Sequence, residues 1–181
     1  MLIVLGGLPG VGKTTIARAL ARRRGAAHLR IDSIEQAIIA PGMPAADMGP
    51  MGYGVACAVA RDILSAGLEV VADCVNPIDA ARQPWRRIAV ECAVPIIEIR
   101  VVCSDVVEHR RRVEARQPDL VGHVLPRWED VLSRRIDPWP QAHVLDAASV
   151  APDQAVRTIE AWLPPDAHRS RAGTQGLSAA D

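Results

Sequence analysis

The sequence predicts an α/β domain in which a parallel β-sheet lies between two layers of helices. Three observations carry that expectation. Short β-branched runs alternate with amphipathic segments along most of the chain, the pattern that parallel strands joined by right-handed helical crossovers require. The 181 residues suffice for one such domain with a substantial core and are too few for two. Apolar residues make up 49% of the chain against 23% charged, which excludes wholesale disorder.

Taken in order, Leu2-Ile3-Val4-Leu5 is short, apolar and stopped by Gly6-Gly7, so it reads as a buried strand. A helix is expected from about Lys13 to Arg24, with Ile16, Ala17, Leu20 and Ala21 on one face. Leu29-Arg30-Ile31 is expected as the second strand, closed by Asp32, with Ser33 capping the following helix. The stretch from Pro41 to Pro50 holds three prolines, two glycines and two methionines, the composition of an irregular loop over the surface or over a site. Helix resumes from Met51 to Ser65, Gly67 ends it, and Leu68 to Ala72 leads as a third strand into Asp73.

A further helix is expected from Asp79 to Cys92, then a strand from Ile96 to Val102. Asp105 opens a cationic helix through Arg110, Arg111, Arg112 and Arg116 that Pro118 must end. Residues 117–126 form a loop, a short helix carries Trp128 to Arg135, and His143 to Asp146 is the last strand before a helix from Pro152 to Leu163. The domain therefore spans 1–163, with a lid at roughly 110–127, and the small, polar, aperiodic residues 164–181 are expected to be a disordered tail.

Charge excludes some functions. The 21 basic and 21 acidic side chains cancel, which disfavours a simple polyanion-binding role. No apolar run reaches the roughly 20 residues that span a bilayer, and the start lacks a basic leader, so a cytoplasmic protein without membrane partners is expected. Cys57, Cys74, Cys92 and Cys103 show no C-x-x-C spacing, so reduced thiols are expected. Of the cations, 20 are arginine and only Lys13 is lysine.

Lys13 sits in Gly7-Leu8-Pro9-Gly10-Val11-Gly12-Lys13-Thr14, a full match to G-x-x-x-x-G-K-[ST] between a strand and a helix. Phosphates need several converging donors, and the glycines let the backbone turn its N–H groups inward at the positive end of the helix. Lys13 bridges the outer phosphates and Thr14 offers a hydroxyl to Mg²⁺. A compact ammonium suits that position better than the planar fork of arginine.

Two aspartates are expected at strand ends, where ligands of such sheets bind. Asp73 is placed to hold Mg²⁺, or else to start the next turn. Asp32 is placed to take the proton of an acceptor hydroxyl, or else only to cap the following helix. Arg112 and Arg116, four apart, can reach one anionic target from a mobile lid, the alternative being a solvated face paired with Glu108 and Glu114. Trp128 and Trp139 flank this region and either border a pocket or anchor the core.

On these residues, with Ile31-Asp32-Ser33 and Val71-Ala72-Asp73-Cys74-Val75-Asn76-Pro77, residues 1–163 resemble the P-loop kinases of adenylate-kinase type, and more narrowly the AAA_33 and polynucleotide-kinase-like ATP-binding proteins. The resemblance implies a three-layer P-loop NTPase fold with strand order 2-3-1-4-5. It also implies an ATP·Mg²⁺ site at Gly7, Pro9, Gly10, Val11, Gly12, Lys13, Thr14 and Thr15, with Asp73 on the metal, Asp32 as base, lid arginines at 112 or 116, and Asn76 near the acceptor. Where polynucleotide kinases carry an arginine three residues after the catalytic aspartate, this chain has Glu35, which would repel a nucleic-acid backbone. The expected function is therefore an ATP-dependent kinase acting on a small hydroxylated molecule such as a sugar, nucleoside or antibiotic. A nucleotide-dependent ATPase switch with a protein partner and a polynucleotide 5'-hydroxyl kinase are the alternatives.

Overall fold

A computed structural model describes residues 1–39, 42–44 and 47–164. The expected tail, apart from Pro164, and Pro41, Ala45 and Ala46 of the expected loop lie outside the described residues. Among the described residues the elements follow in the alternation the sequence predicts: β1 (Leu2–Gly6), α1 (Lys13–Arg24), β2 (Ala27–Arg30), α2 (Ile31–Ile39), α3 (Met51–Ser65), β3 (Val70–Asp73), α4 (Asp79–Glu91), β4 (Ile96–Val102), α5 (Val106–Ala115), α6 (Trp128–Ser133), β5 (His143–Asp146) and α7 (Pro152–Trp162).

The five strands form one parallel sheet in the order β2-β3-β1-β4-β5, as the resemblance implied. β1 is central, and Leu2 to Leu5 are all fully buried. Its side chains alternate between two cores. Ile3 and Leu5 join Leu20 and Ile159, under α1 and α7; Leu2 and Val4 join Ala60, Trp85 and Ile88, under α3 and α4. Both faces of the sheet are thus covered, which explains why its strands read as continuous apolar runs. Truncating any of these β1 side chains to alanine would cost about 2–5 kcal/mol. Among the described residues, no helix is long and apolar enough to cross a membrane.

Two local expectations are corrected. β2 ends at Arg30 and α2 begins at once with Ile31, so Asp32 lies in the first turn of that helix and Ser33 lies within it. The free N–H groups of a helix start favour a carboxylate there, and Ile31 is drawn into the core below α3. The second correction concerns α5, which ends at Ala115. Pro118 can offer no N–H to the turn before it and pushes residue 117 out of helical conformation. Arg116 is already extended, at φ −67° and ψ 131°.

Candidate active site

The cavity at the carboxyl edge of the sheet has a volume of about 520 Å³. Its floor is the loop between β1 and α1. Gly10 and Gly12 have φ of 82° and 100°, left-handed values that L side chains avoid. Space also excludes a side chain: a Cβ on Gly7 would collide with the Val101 carbonyl, and one on Gly10 with Val113. The loop is held from outside as well. Gly7 N–H donates to the Val75 carbonyl at 3.0 Å, and His109 Nε2 lies 2.8 Å from the Pro9 carbonyl. A carbonyl only accepts, so His109 carries its proton on Nε2.

Lys13 is buried and donates to the Leu8 carbonyl at 2.8 Å. Burial pulls its ammonium below the usual lysine range, while Asp73 and Asp32 work in the opposite direction. Asp73, at the end of β3, is 3% exposed. Its Oδ2 makes no close hydrogen bond and stands 3.4 Å from His28 Nε2. Burial opposes ionisation there, yet His28 and the charge of Lys13 hold the carboxyl below its ordinary range. A buried carboxylate oxygen without a close donor, beside the hydroxyl of Thr14 on the same cavity wall, fits a hard divalent cation.

Of the residues expected to bind nucleotide, Pro9, Gly10, Gly12, Lys13, Thr14 and Thr15 line the cavity. Val11 turns its side chain into the core under α1, and Gly7 is tied to Val75 instead. Asp32, Asp73, Arg112 and Arg116 also share the wall. The two arginines differ. Arg112 is fixed: it donates to Glu108 at 2.7 Å and to the carbonyls of Ala147 and Ala148 at 2.8 and 2.9 Å. Arg116, beyond the helix end, has Asp32 as its nearest carboxylate, at 4.0 Å.

Other expectations meet a different outcome. Asn76 is fully buried and does not line the cavity; it adopts φ 50°, and its N–H donates to the Tyr53 hydroxyl at 3.0 Å. Trp128 and Trp139 are buried anchors outside the wall, Trp128 edge-on to His109 and Trp139 against Arg82. The cavity also gathers residues that sequence reasoning left aside, among them Arg18, Asp119, His123 and Arg134. Arg18 carried a signal, since it lies one helical turn after Thr14. Asp119 carried none, because its partners are Arg30 and Arg18, far away in the chain. Glu35 lies on the wall near Asp32.

Comparison with known proteins accords with this geometry. A family model described as an AAA domain, AAA_33, matches residues 2–135. Similar solved structures include a sugar kinase from Janibacter sp. HTCC2649, 21% identical over 89% of this chain and 92% of that one, with a TM-score of 0.65. Kti12 from Chaetomium thermophilum, solved with ADP-AlF3, is 22% identical over 89% and 98%, with a TM-score of 0.65. A gluconokinase from Sinorhizobium meliloti 1021 is 22% identical over 86% of each chain, with a TM-score of 0.58. At these identities the likeness establishes the P-loop kinase fold. A search of curated proteins returns no match.

Proposed function

From the premise that this chain belongs to the AAA_33 family of AAA domains, we propose that it is an ATP-dependent kinase that moves the γ-phosphoryl group to a hydroxyl of a small molecule. The observation that carries the reading is a cavity lined together by Lys13, the phosphate loop, Asp32 and Arg116, the last two 4.0 Å apart. The N–H groups and Lys13 of the loop hold the phosphates of ATP, and Thr14 and Asp73 hold Mg²⁺. Bound magnesium supplies charge neutralisation across the phosphate oxygens.

Asp32 takes the proton of the acceptor hydroxyl as the new oxygen–phosphorus bond forms and the bond to the departing ADP oxygen breaks. Arg116, whose guanidinium is not committed to main-chain carbonyls, covers the charge that develops on the transferred group. Glu35 sets a second carboxyl near Asp32 on the wall, which disfavours a polyanionic acceptor beside the base.

A panel of small hydroxylated metabolites followed by ADP release, with mass spectrometry for the added phosphoryl group, tests this. Asp32→Asn is expected to lose transfer by about 10²- to 10⁴-fold, the usual worth of a general base, while ATP still binds. A variant that transfers at the wild-type rate rejects Asp32 as the base. Hydrolysis independent of every acceptor, with a protein captured in one nucleotide state, would favour the switch reading instead.

A further inference from the structure

Arg30 ends β2 with its side chain 4% exposed, and its guanidinium is divided between two carboxylates that line the cavity, Asp119 and Asp32. Asp119, on the 117–126 loop, accepts from Nη1 at 2.7 Å and from Nη2 at 3.0 Å. Asp32 accepts only from Nη2, at 3.4 Å. Arg18 donates to Asp119 from the other side at 3.0 Å. Two short parallel bonds are the strong arrangement of a guanidinium and a carboxylate, and one long bond is the weak one. The strong pair therefore sets where the guanidinium sits, and Asp32 receives what that position leaves.

We propose that Arg30 is a positioning residue for the base, and that Asp119 keeps it from pairing fully with Asp32 by holding the guanidinium in its own fork. This rests on the reading of Asp32 as the group that takes the acceptor's proton. With Asp119 in place, Asp32 keeps its second oxygen out of any short bond to Arg30 and faces the cavity. Without Asp119, Arg30 loses its counter-charge and relaxes onto the nearest remaining carboxylate, which is Asp32. The base is thus available when the 117–126 loop lies against β2. Hydrogen bonding from Arg30 also holds Asp119 well below the usual carboxylate range, so that it remains an anion throughout neutral pH.

The charged and titratable groups facing Asp32 are Arg30 from β2, Lys13 from α1, Glu35 from α2 itself, Tyr53 from α3 and Arg116 after α5. Of these, Arg30 is the one joined to a carboxylate of the 117–126 loop. That singles out two substitutions with opposite effects. Asp119→Asn keeps the shape of a half-exposed side chain but removes the charge that competes for Arg30. Arg30→Gln removes the guanidinium altogether.

Two measurements are made on each protein: the carboxyl titration of residue 32 by ¹³C NMR in nucleotide-free protein, and the pH profile of kcat/KM for acceptor phosphorylation. In Asp119→Asn the residue-32 midpoint and the acid limb are expected to move down by about one pH unit relative to wild type, with kcat reduced roughly tenfold. In Arg30→Gln both are expected to move up. The direct field of Asp119 on Asp32 would survive in an Arg30→Gln background, whereas a shift that works through Arg30 is expected to disappear when Asp119→Asn is combined with Arg30→Gln, and persistence of the full shift in the double variant overturns the proposal. A midpoint in Asp119→Asn that stays put or rises overturns the proposal, and that variant suffices if Arg30→Gln does not fold. Midpoints that move as stated in a protein that phosphorylates no acceptor leave the division of Arg30 standing and overturn the kinase reading.

Discussion

Glu35 shows at the level of one side chain what the cavity demands of the fold. Its half-buried side chain lies against Gly52, where a Cβ would collide with it. Burial and the neighbouring Asp32 push it above the ordinary glutamate range, and Arg134 only partly offsets them. A carboxyl raised in the folded state carries no penalty below its unfolded value, where both states are protonated. The penalty grows as pH rises through the ordinary range and is complete above the raised folded value. Glu35→Gln is therefore expected to gain about 1–3 °C in Tm at pH 7.5, a gain that vanishes below about pH 4. Thermal melts of both proteins across that range check it, and an unchanged or lower Tm at pH 7.5 would contradict it. A penalty retained at neutral pH is what a binding group, unlike a packing group, brings to a fold.

At the scale of elements, α5 decides what the two candidate arginines can do. Asp105 caps it, accepting from the N–H groups of Val107 and Glu108 at 2.9 and 3.0 Å. Glu108 in turn holds Nε of Arg112, and each terminal nitrogen gives one N–H to a carbonyl after β5. Arg112 is therefore a strut between α5 and the 147–148 segment, whereas Arg116 is free to follow charge. Arg116→Ala is expected to lower kcat by about 10²- to 10³-fold with little change in nucleotide Kd, and Arg112→Ala to weaken nucleotide binding more than it lowers kcat. Single-turnover rates and nucleotide titrations separate the two effects. The reverse pattern would restore Arg112 as the residue over the transferred group. This division was not legible in the sequence, because the four-residue spacing implies a shared helix face and Pro118 ends α5 before that face reaches Arg116. Local patterns were legible where one element settles the outcome: the strand-loop-helix around Lys13, the span of α3, and the whole of β4. The pairs Arg30–Asp119 and His109–Pro9 bridge 89 and 100 residues. No periodicity connects such positions, so only the folded chain brings them together.

Across the whole molecule, the phosphate loop depends on a contact hidden behind it. Residues 76–77, after β3, and 137–139, before β5, meet at the fully buried Arg82 of α4. Its guanidinium donates to the carbonyls of Asn76 and Pro77 at 3.0 Å each, of Asp137 at 3.0 Å and of Pro138 at 2.8 Å. It also stacks 4.4 Å from the ring of Trp139. Trp139 in turn packs on Gly6 so closely that a Cβ there would strike the ring. One side chain thus ties α4, two loops and the end of β1 into the floor of the cavity. The charge is tolerated because four carbonyl dipoles and an aromatic face replace water. Arg82→Leu would take the side-chain donor from the carbonyls of Asn76, Asp137 and Pro138, while Pro77 keeps the N–H of Asp137 at 2.8 Å, at about 1–3 kcal/mol for each that water cannot reach, against a total stability of about 5–15 kcal/mol. We expect this variant to unfold, or to lose about 10 °C or more in Tm, with nucleotide affinity falling alongside. Arg82→Lys, with three donors on a flexible stem in place of a planar fork, should fall between the two. Urea denaturation of the three proteins measures the series, and a wild-type midpoint for Arg82→Leu would show that the floor of the cavity is held by something else.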